Sequence, residues 1–483
     1  MLSYDNIASL TCISILRKGG SVSKIFRCII FLALACACLT CGCGGGGSNN
    51  SYPVVVFTDV HFNPFYDPTL FQSLNSADAS EWANIFATSS TSEPSAYGQD
   101  TNFPLLILAL SSIKQNLGTS PVIIFTGDVL GHNFAQTFFT LNGSQDIPAM
   151  EAFASKTLTF FTQLVKSYVG NISVMFVLGN ADSYTGLAPD SAYLSNTAEI
   201  YYSNWIGATA DHQTFLSTYE AGGYYSAEPL GPNLMVIALN TVALSTLVLE
   251  NNDAQVQAEL AWLDSTLAAA RAAGQQVWLL MHVPPGAYIG QTATQLDPSG
   301  HLSAATMQLK PDYQESLLQI LSKYPDVIAM MLGGHTHMDE FRNIFGDAPL
   351  TSSGFLEITP GITPYFDNNP AFKIYTFPTG SFAPVGYKSL NYDLTTQPGQ
   401  FTPYYTFTTA YFGGFMQELL DEALVKLYPE LASDKTKQAR FRTHYYSGND
   451  SLNQITDANW KVFYCGIVEM TEQGLIDCVN SSL

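Results

Sequence analysis

The 483-residue chain is long enough for a large catalytic domain with an appendage, and 47% hydrophobic with 13% aromatic residues can fill a sizeable core, which excludes a disordered chain. A balance of 19 Lys and Arg against 40 Asp and Glu leaves a formal charge of −21. Phosphate backbones and anionic lipids repel such a surface, so a nucleic-acid scaffold role is excluded. In chain order, Arg17, Lys18, Lys24 and Arg27 precede an apolar run at 28–41. A bilayer-spanning helix needs about 20 residues, so this shorter run reads as the core of a signal peptide over 1–43. Residues 44–51 form a Gly/Ser linker. Strand-like runs follow at 53–57, 122–125, 172–178, 234–239, 276–281 and 327–332, alternating with helix-like stretches at 103–117, 150–168, 253–273 and 311–323. The third helix is the clearest, because Leu260, Leu263, Leu267 and Ala270 recur at helical spacing and Gly274 provides the stop. The Ser/Ala/Thr-rich segment 75–100 reads as a long surface loop. After Phe341 the pattern becomes short β-like segments, and from about Phe412 it is helical again. The body is therefore an α/β catalytic domain over 52–390 with a mainly helical C-terminal region over 391–483.

Six of the eight cysteines lie in the first 43 residues, leaving Cys465 and Cys478 to the body. Export would place these two in an oxidising compartment, where they can pair; the alternative is two buried thiols. The signal core ends in Cys41-Gly42-Cys43 followed by glycines, which resembles a bacterial lipoprotein signal. On that reading Cys43 becomes the lipid-bearing first residue and anchors the chain to a membrane. Thr40 stands where that pattern prefers Leu, and simple cleavage of a secretory signal is the alternative.

Five strand-like runs each deliver a metal-capable side chain just past their C-terminal ends: Asp59 and His61; Asp128 with His132 four residues on; Asn180; His282; and His335 with His337. Ligands to α/β sheets collect at that edge. Each residue alone is weak evidence, since Gly-Asp pairs are usually turns and a lone His is usually structural. Five in register are far more specific, and a set of carboxylate, imidazole and amide oxygen suits Zn, Mn or Fe. His212, His301 and His444 have no such context and read as surface or structural, and the aromatic stretch 404–415 reads as packing.

The ordered set Asp59-x-His61, Gly127-Asp128-x-x-x-His132, Gly179-Asn180-x-Asp182, His282 and Gly334-His335-x-His337 resembles the calcineurin-like metallophosphoesterases. The opening from Asp59 to Tyr66, Pro284-Pro285-Gly286 after His282, and the 358–372 segment resemble the acid sphingomyelinase-like branch. This resemblance implies a β-sandwich flanked by helices, export, and two divalent metal ions, most often zinc. It places one ion on Asp59, His61, Asp128 and His337, and the other on Asp128, Asn180, His282 and His335, with Asp128 bridging. Two such ions activate water for in-line attack on phosphorus. His132 would contact the phosphate or protonate the leaving group; its alternative role is to orient a ligand. The family usually has a histidine after the Asn, where this chain has Ala181, so one catalytic contact is missing. The implied activity is hydrolysis of a small phosphodiester or phospholipid head group. The alternatives are a phosphomonoesterase or endopolyphosphatase-like hydrolase, or a ligand-binding surface lipoprotein with weakened catalysis.

Overall fold

Twelve strands assemble into two six-stranded sheets in the computed structural model, which describes residues 51–483 apart from 250–251, 347–353, 397–398, 415–417, 450–453 and 482–483. The signal peptide at 1–43, nearly all of the linker and the lipid-acceptor Cys43 lie outside the described residues. In the first sheet, β1 (Ser51–Phe57), β2 (Val122–Phe125) and β3 (Ser173–Phe176) run parallel. In the second, β4 (Tyr225–Ala227) pairs antiparallel with β5 (Leu234–Ala238), and β6 (Gln276–Leu280) and β7 (Ile328–Gly333) continue from β5 in parallel. Its far edge is made by β8 (Glu340–Asn343) and β9 (Phe355–Ile358). Antiparallel β10 (Ala371–Pro378), β11 (Gly386–Asn391) and β12 (Thr402–Thr406) extend the first sheet from β1. That sheet thus runs past residue 390 into the region expected to be helical.

Side-chain alternation builds the sandwich, because successive residues of a strand point to opposite faces. Val236, Ala238, Trp278, Leu280, Met330 and Leu332 join the core that contains β1–β3. Their neighbours Ile237, Val277, Leu279 and Met331 pack instead with Val256, Leu260, Leu263 and Leu267 from the helix Asp253–Ala273 and Leu317 and Leu321 from Pro311–Leu321. Trp278 spans the interface, its ring 4.9 Å from Phe377 of β10. The helix Ile147–Val169 starts three residues before the expected 150, since the Asp146 side chain caps Ala149 N at 3.1 Å and Pro148 sits in the first turn. The expected surface loop at 75–100 is a correction. It holds a short helix, Trp82–Phe86, whose Trp82 is fully buried with its indole N–H donating to Leu74 O at 3.0 Å. Two aromatic anchors in a Ser/Ala/Thr background carry no periodicity, so the pattern hid them.

At the C-terminus Cys465 and Cys478 are joined in a disulfide. A closure of that length stabilises the fold by about 3 kcal/mol on the chain-entropy account. Among the described residues, no helix is long and apolar enough to cross a membrane.

One buried acid braces the loop that carries His282. Glu259 Oε1 accepts from Asn240 N at 2.7 Å, and the next residue, Thr241, receives the N–H groups of His282 and Val283 on its hydroxyl at 3.2 and 2.9 Å. Burial pushes the Glu259 carboxyl up to about 8, with the Asn240 bond opposing. The folded chain therefore holds a proton that the unfolded chain, at about 4.3, has lost, and this group's contribution falls as pH rises from there through about 8. Glu259→Gln, which keeps the acceptor, is expected to melt above the wild type at pH 8 and level with it at pH 4.5, a difference of a few kcal/mol. Equal melting differences at both pH values would contradict this.

Candidate metal centre

The seven expected ligand residues come together at the C-terminal ends of parallel strands from both sheets. The first sheet contributes Asp59 and His61 after β1, Asp128 after β2 and Asn180 after β3; the second contributes His282 after β6 and His335 and His337 after β7. Five of them, Asp59, His61, Asp128, His335 and His337, sit at left-handed φ between 43° and 72°. Such a backbone costs a non-glycine residue on the order of 1 kcal/mol or more, and here it turns each side chain off the strand axis toward the cluster. The approach of the loops is close enough to demand glycine at 179, where a Cβ would fall 2.0 Å from Asp128 Oδ1.

His61 and His282 face the same oxygen. Their Nδ1 atoms lie 3.0 Å from Leu130 O and 2.7 Å from Thr126 O, which assigns the ring protons there. Each ring then presents Nε2 to Asp128 Oδ2, at 3.2 and 3.1 Å. A neutral imidazole aims a lone pair at a carboxylate oxygen in this arrangement, which is repulsive unless positive charge lies between them. His337 Nε2 stands 3.4 Å from Asp59 Oδ1 and His335 Nδ1 2.9 Å from Asn180 Oδ1, while His282 Nε2 is 3.3 Å from that same amide oxygen. Asp59, His61, Asp128, His282 and His337 are buried, and Asn180 and His335 are partly buried.

Without cations, protons supply the missing charge. Burial alone would lower His61 and His282, but Asp128, helped by Asp59, outweighs it and raises both to about 9. Burial alone would raise Asp128, but His282 and His61 hold it well below the usual carboxylate range. Burial lowers His335 and His337, reinforced by the positive His282 and His61 respectively, so these rings stay neutral. Burial pushes Asp59 up to about 6, His282 opposing and Asp128 adding. The cluster thus fits divalent cations: lone pairs converge, the carboxylate between them stays ionised, and cation binding would expel two protons.

His132 is brought to the same cluster but differs in kind. Its side chain is 23% exposed, against 2% or less for His61, His282 and His337. Its ring stacks on His61 at 4.0 Å, and one of its nitrogens lies within 4.8 Å of nitrogens on His61 and His337. Asp100 accepts its Nδ1–H and its backbone N–H, both at 2.7 Å, and Nε2 has no hydrogen-bond partner among the described residues. Tyr365 stacks on the other face at 4.0 Å, and Phe366 stands edge-on to His337 at 4.7 Å. Sequence reading missed Asp100 and gave Tyr365 no role, since neither lies within a motif at a strand end. Asp182, read as part of the Asn180 motif, accepts from the N–H groups of Asp128, Val129 and Gly179 at 2.8–2.9 Å and so ties the β2 and β3 loops together. Ala181 N–H donates to Asp128 Oδ1 at 2.7 Å. His212, paired with Glu199, and His444, stacked on Tyr405 at 3.7 Å, are away from the cluster.

A two-sheet sandwich with His, Asp and Asn residues gathered at its strand ends is the architecture of a metal-dependent phosphoesterase. The family model for calcineurin-like phosphoesterases matches residues 52–339, and the chain belongs to that family. Among characterised proteins, it is 28% identical over 320 residues to sphingomyelinase phosphodiesterase C of Dictyostelium discoideum, covering 62% of this chain and 64% of that protein. It is 28% identical over 353 residues to sphingomyelin phosphodiesterase B of the same organism, covering 67% of this chain and about half, 48%, of that protein. The cyclic GMP-AMP phosphodiesterase SMPDL3A of Mus musculus is 25% identical over 453 residues, covering 88% of this chain and 91% of its own. Among solved structures, a dimetal phosphatase from Danio rerio aligns over 70% of this chain and 95% of its own at TM-score 0.41 and 13% identity.

Proposed function

We propose that this protein hydrolyses small phosphodiesters at two divalent metal ions, most often zinc. One ion would be held by Asp59, His61, Asp128 and His337, the other by Asp128, Asn180, His282 and His335. The observation that carries this reading is the convergence of two imidazole Nε2 atoms on one oxygen of Asp128, at 3.2 and 3.1 Å. When bound, the ions supply Lewis-acid charge to the phosphoryl oxygens and lower the pKa of a water. The chain's own residues do the rest. The backbone carbonyls of Leu130 and Thr126 hold His61 and His282 in the tautomer that offers Nε2. Asp100 orients His132, whose Nε2 is placed to donate a proton to the departing oxygen. With Ala181 in the usual histidine's place, that transfer falls to His132 alone.

The names of the relatives favour a diester over a monoester, and a choline phospholipid or a nucleotide derivative as its class. Export is supported by the basic residues and apolar run before residue 43 and by the disulfide, which oxidising compartments favour. Lipid anchoring through Cys43 is the further step of that reading. The substrate test compares kcat/KM on bis-p-nitrophenyl phosphate and p-nitrophenyl phosphate, then on a choline phospholipid and a nucleotide diester. Preference for the diester by tenfold or more is expected; preference for the monoester would move the assignment to a phosphatase.

A further inference from the structure

The two flanks of the metal centre are unequally furnished. On one, His132 stands over His61 with Asp100 and Tyr365 around it. On the other, Asn180 leads into Ala181, whose methyl offers no hydrogen bond and whose N–H is already given to Asp128. Asn180 lies against His335, and beside His335 sits Tyr288, its ring centroid 6.5 Å away.

Tyr288 belongs to the loop that leaves His282, and that loop is held from three sides. Arg342 Nη1 donates to Pro285 O at 2.6 Å, Gly286 N to Gln314 Oε1 at 2.7 Å, and Tyr288 N to Thr306 O at 2.7 Å. The ring is mostly buried and fixed in place, yet its side chain keeps some exposure. Its hydroxyl makes no hydrogen bond to any described residue. A phenol is un-ionised at neutral pH, so the group is a neutral O–H donor. An ordered, unspent donor next to one ligand residue, on the flank where Ala181 offers no side-chain donor, is placed to meet an anionic oxygen.

We propose that Tyr288 is a catalytic residue, its O–H donating to a phosphoryl oxygen of the substrate on the Asn180–His335 flank and standing in for the contact Ala181 cannot make. The inference rests on the phosphoesterase reading above, and its test separates the two. Inorganic phosphate is titrated calorimetrically into the full chain loaded with Zn, as wild type and as Tyr288→Phe, alongside metal content, melting temperature and turnover of bis-p-nitrophenyl phosphate. The Phe variant keeps its metal and its melting temperature, binds phosphate about tenfold more weakly, and loses kcat/KM by a similar factor. Phosphate affinity within twofold of the wild type, no phosphate binding by the wild type, or loss of metal from the variant overturns the proposal. If the wild type turns over the diester while phosphate affinity is unchanged in the variant, only Tyr288 falls. If phosphate affinity drops in the variant but the wild type turns over no ester, Tyr288 stands as an anion contact and the hydrolase reading falls.

Discussion

Asp128→Asn is expected to strip bound metal from the protein and to lower turnover of a phosphodiester by about 10³-fold or more. Asp128 Oδ2 is the one atom faced by both His61 and His282, and it is the carboxylate those two groups keep ionised against the cost of burial. An amide removes that charge. If its nitrogen takes the place of Oδ2, its two N–H groups can satisfy both imidazole lone pairs with no cation at all. Lewis-acid charge contributes several kcal/mol to such a transition state, and each 1.36 kcal/mol is a factor of ten. Metal content by mass spectrometry and kcat on a diester check it together. A variant that keeps its metal and stays within tenfold of wild-type turnover would show that Asp128 is not the bridge.

His132→Ala is expected to behave differently, losing about 10²–10⁴-fold in turnover while keeping its metal. The ring lies over His61, its Nδ1 is engaged by Asp100, and it retains solvent contact that the buried ligands lack. Removing it should therefore leave the donors beneath in place. Parallel loss of metal would instead make His132 a ligand or a support for His61, a role its nearness to His61 and His337 also permits.

Most of the candidate site could be read from the sequence because its residues follow strands directly. A buried strand writes an apolar run, and the turn after it writes Gly, Asp or His, so Asp59, Asp128, Asn180, His282 and His335 were visible as strand-end residues before any geometry. The helix Asp253–Ala273 was legible to the residue through its leucine spacing and Gly274. What stayed hidden depends on distance in the chain. Asp100 is 32 residues from the His132 ring it holds, and Glu259 is 19 from Asn240; neither contact leaves a local pattern. Trp82 was lost in a polar-looking stretch whose burial is set by Phe153 and Phe160 of a later helix. The pairing of β10 with β1, which carries β11 and β12 onto the first sheet, was equally invisible, since sheet order is fixed by long-range register and not by the strands' own composition.

The most direct test of the dinuclear reading is the number of divalent ions bound per chain after reconstitution with Zn, Mn or Fe, measured beside turnover of bis-p-nitrophenyl phosphate. About two ions per chain with turnover, both lost in Asp128→Asn, is the predicted result. No bound metal after reconstitution would contradict the assignment of all seven ligands.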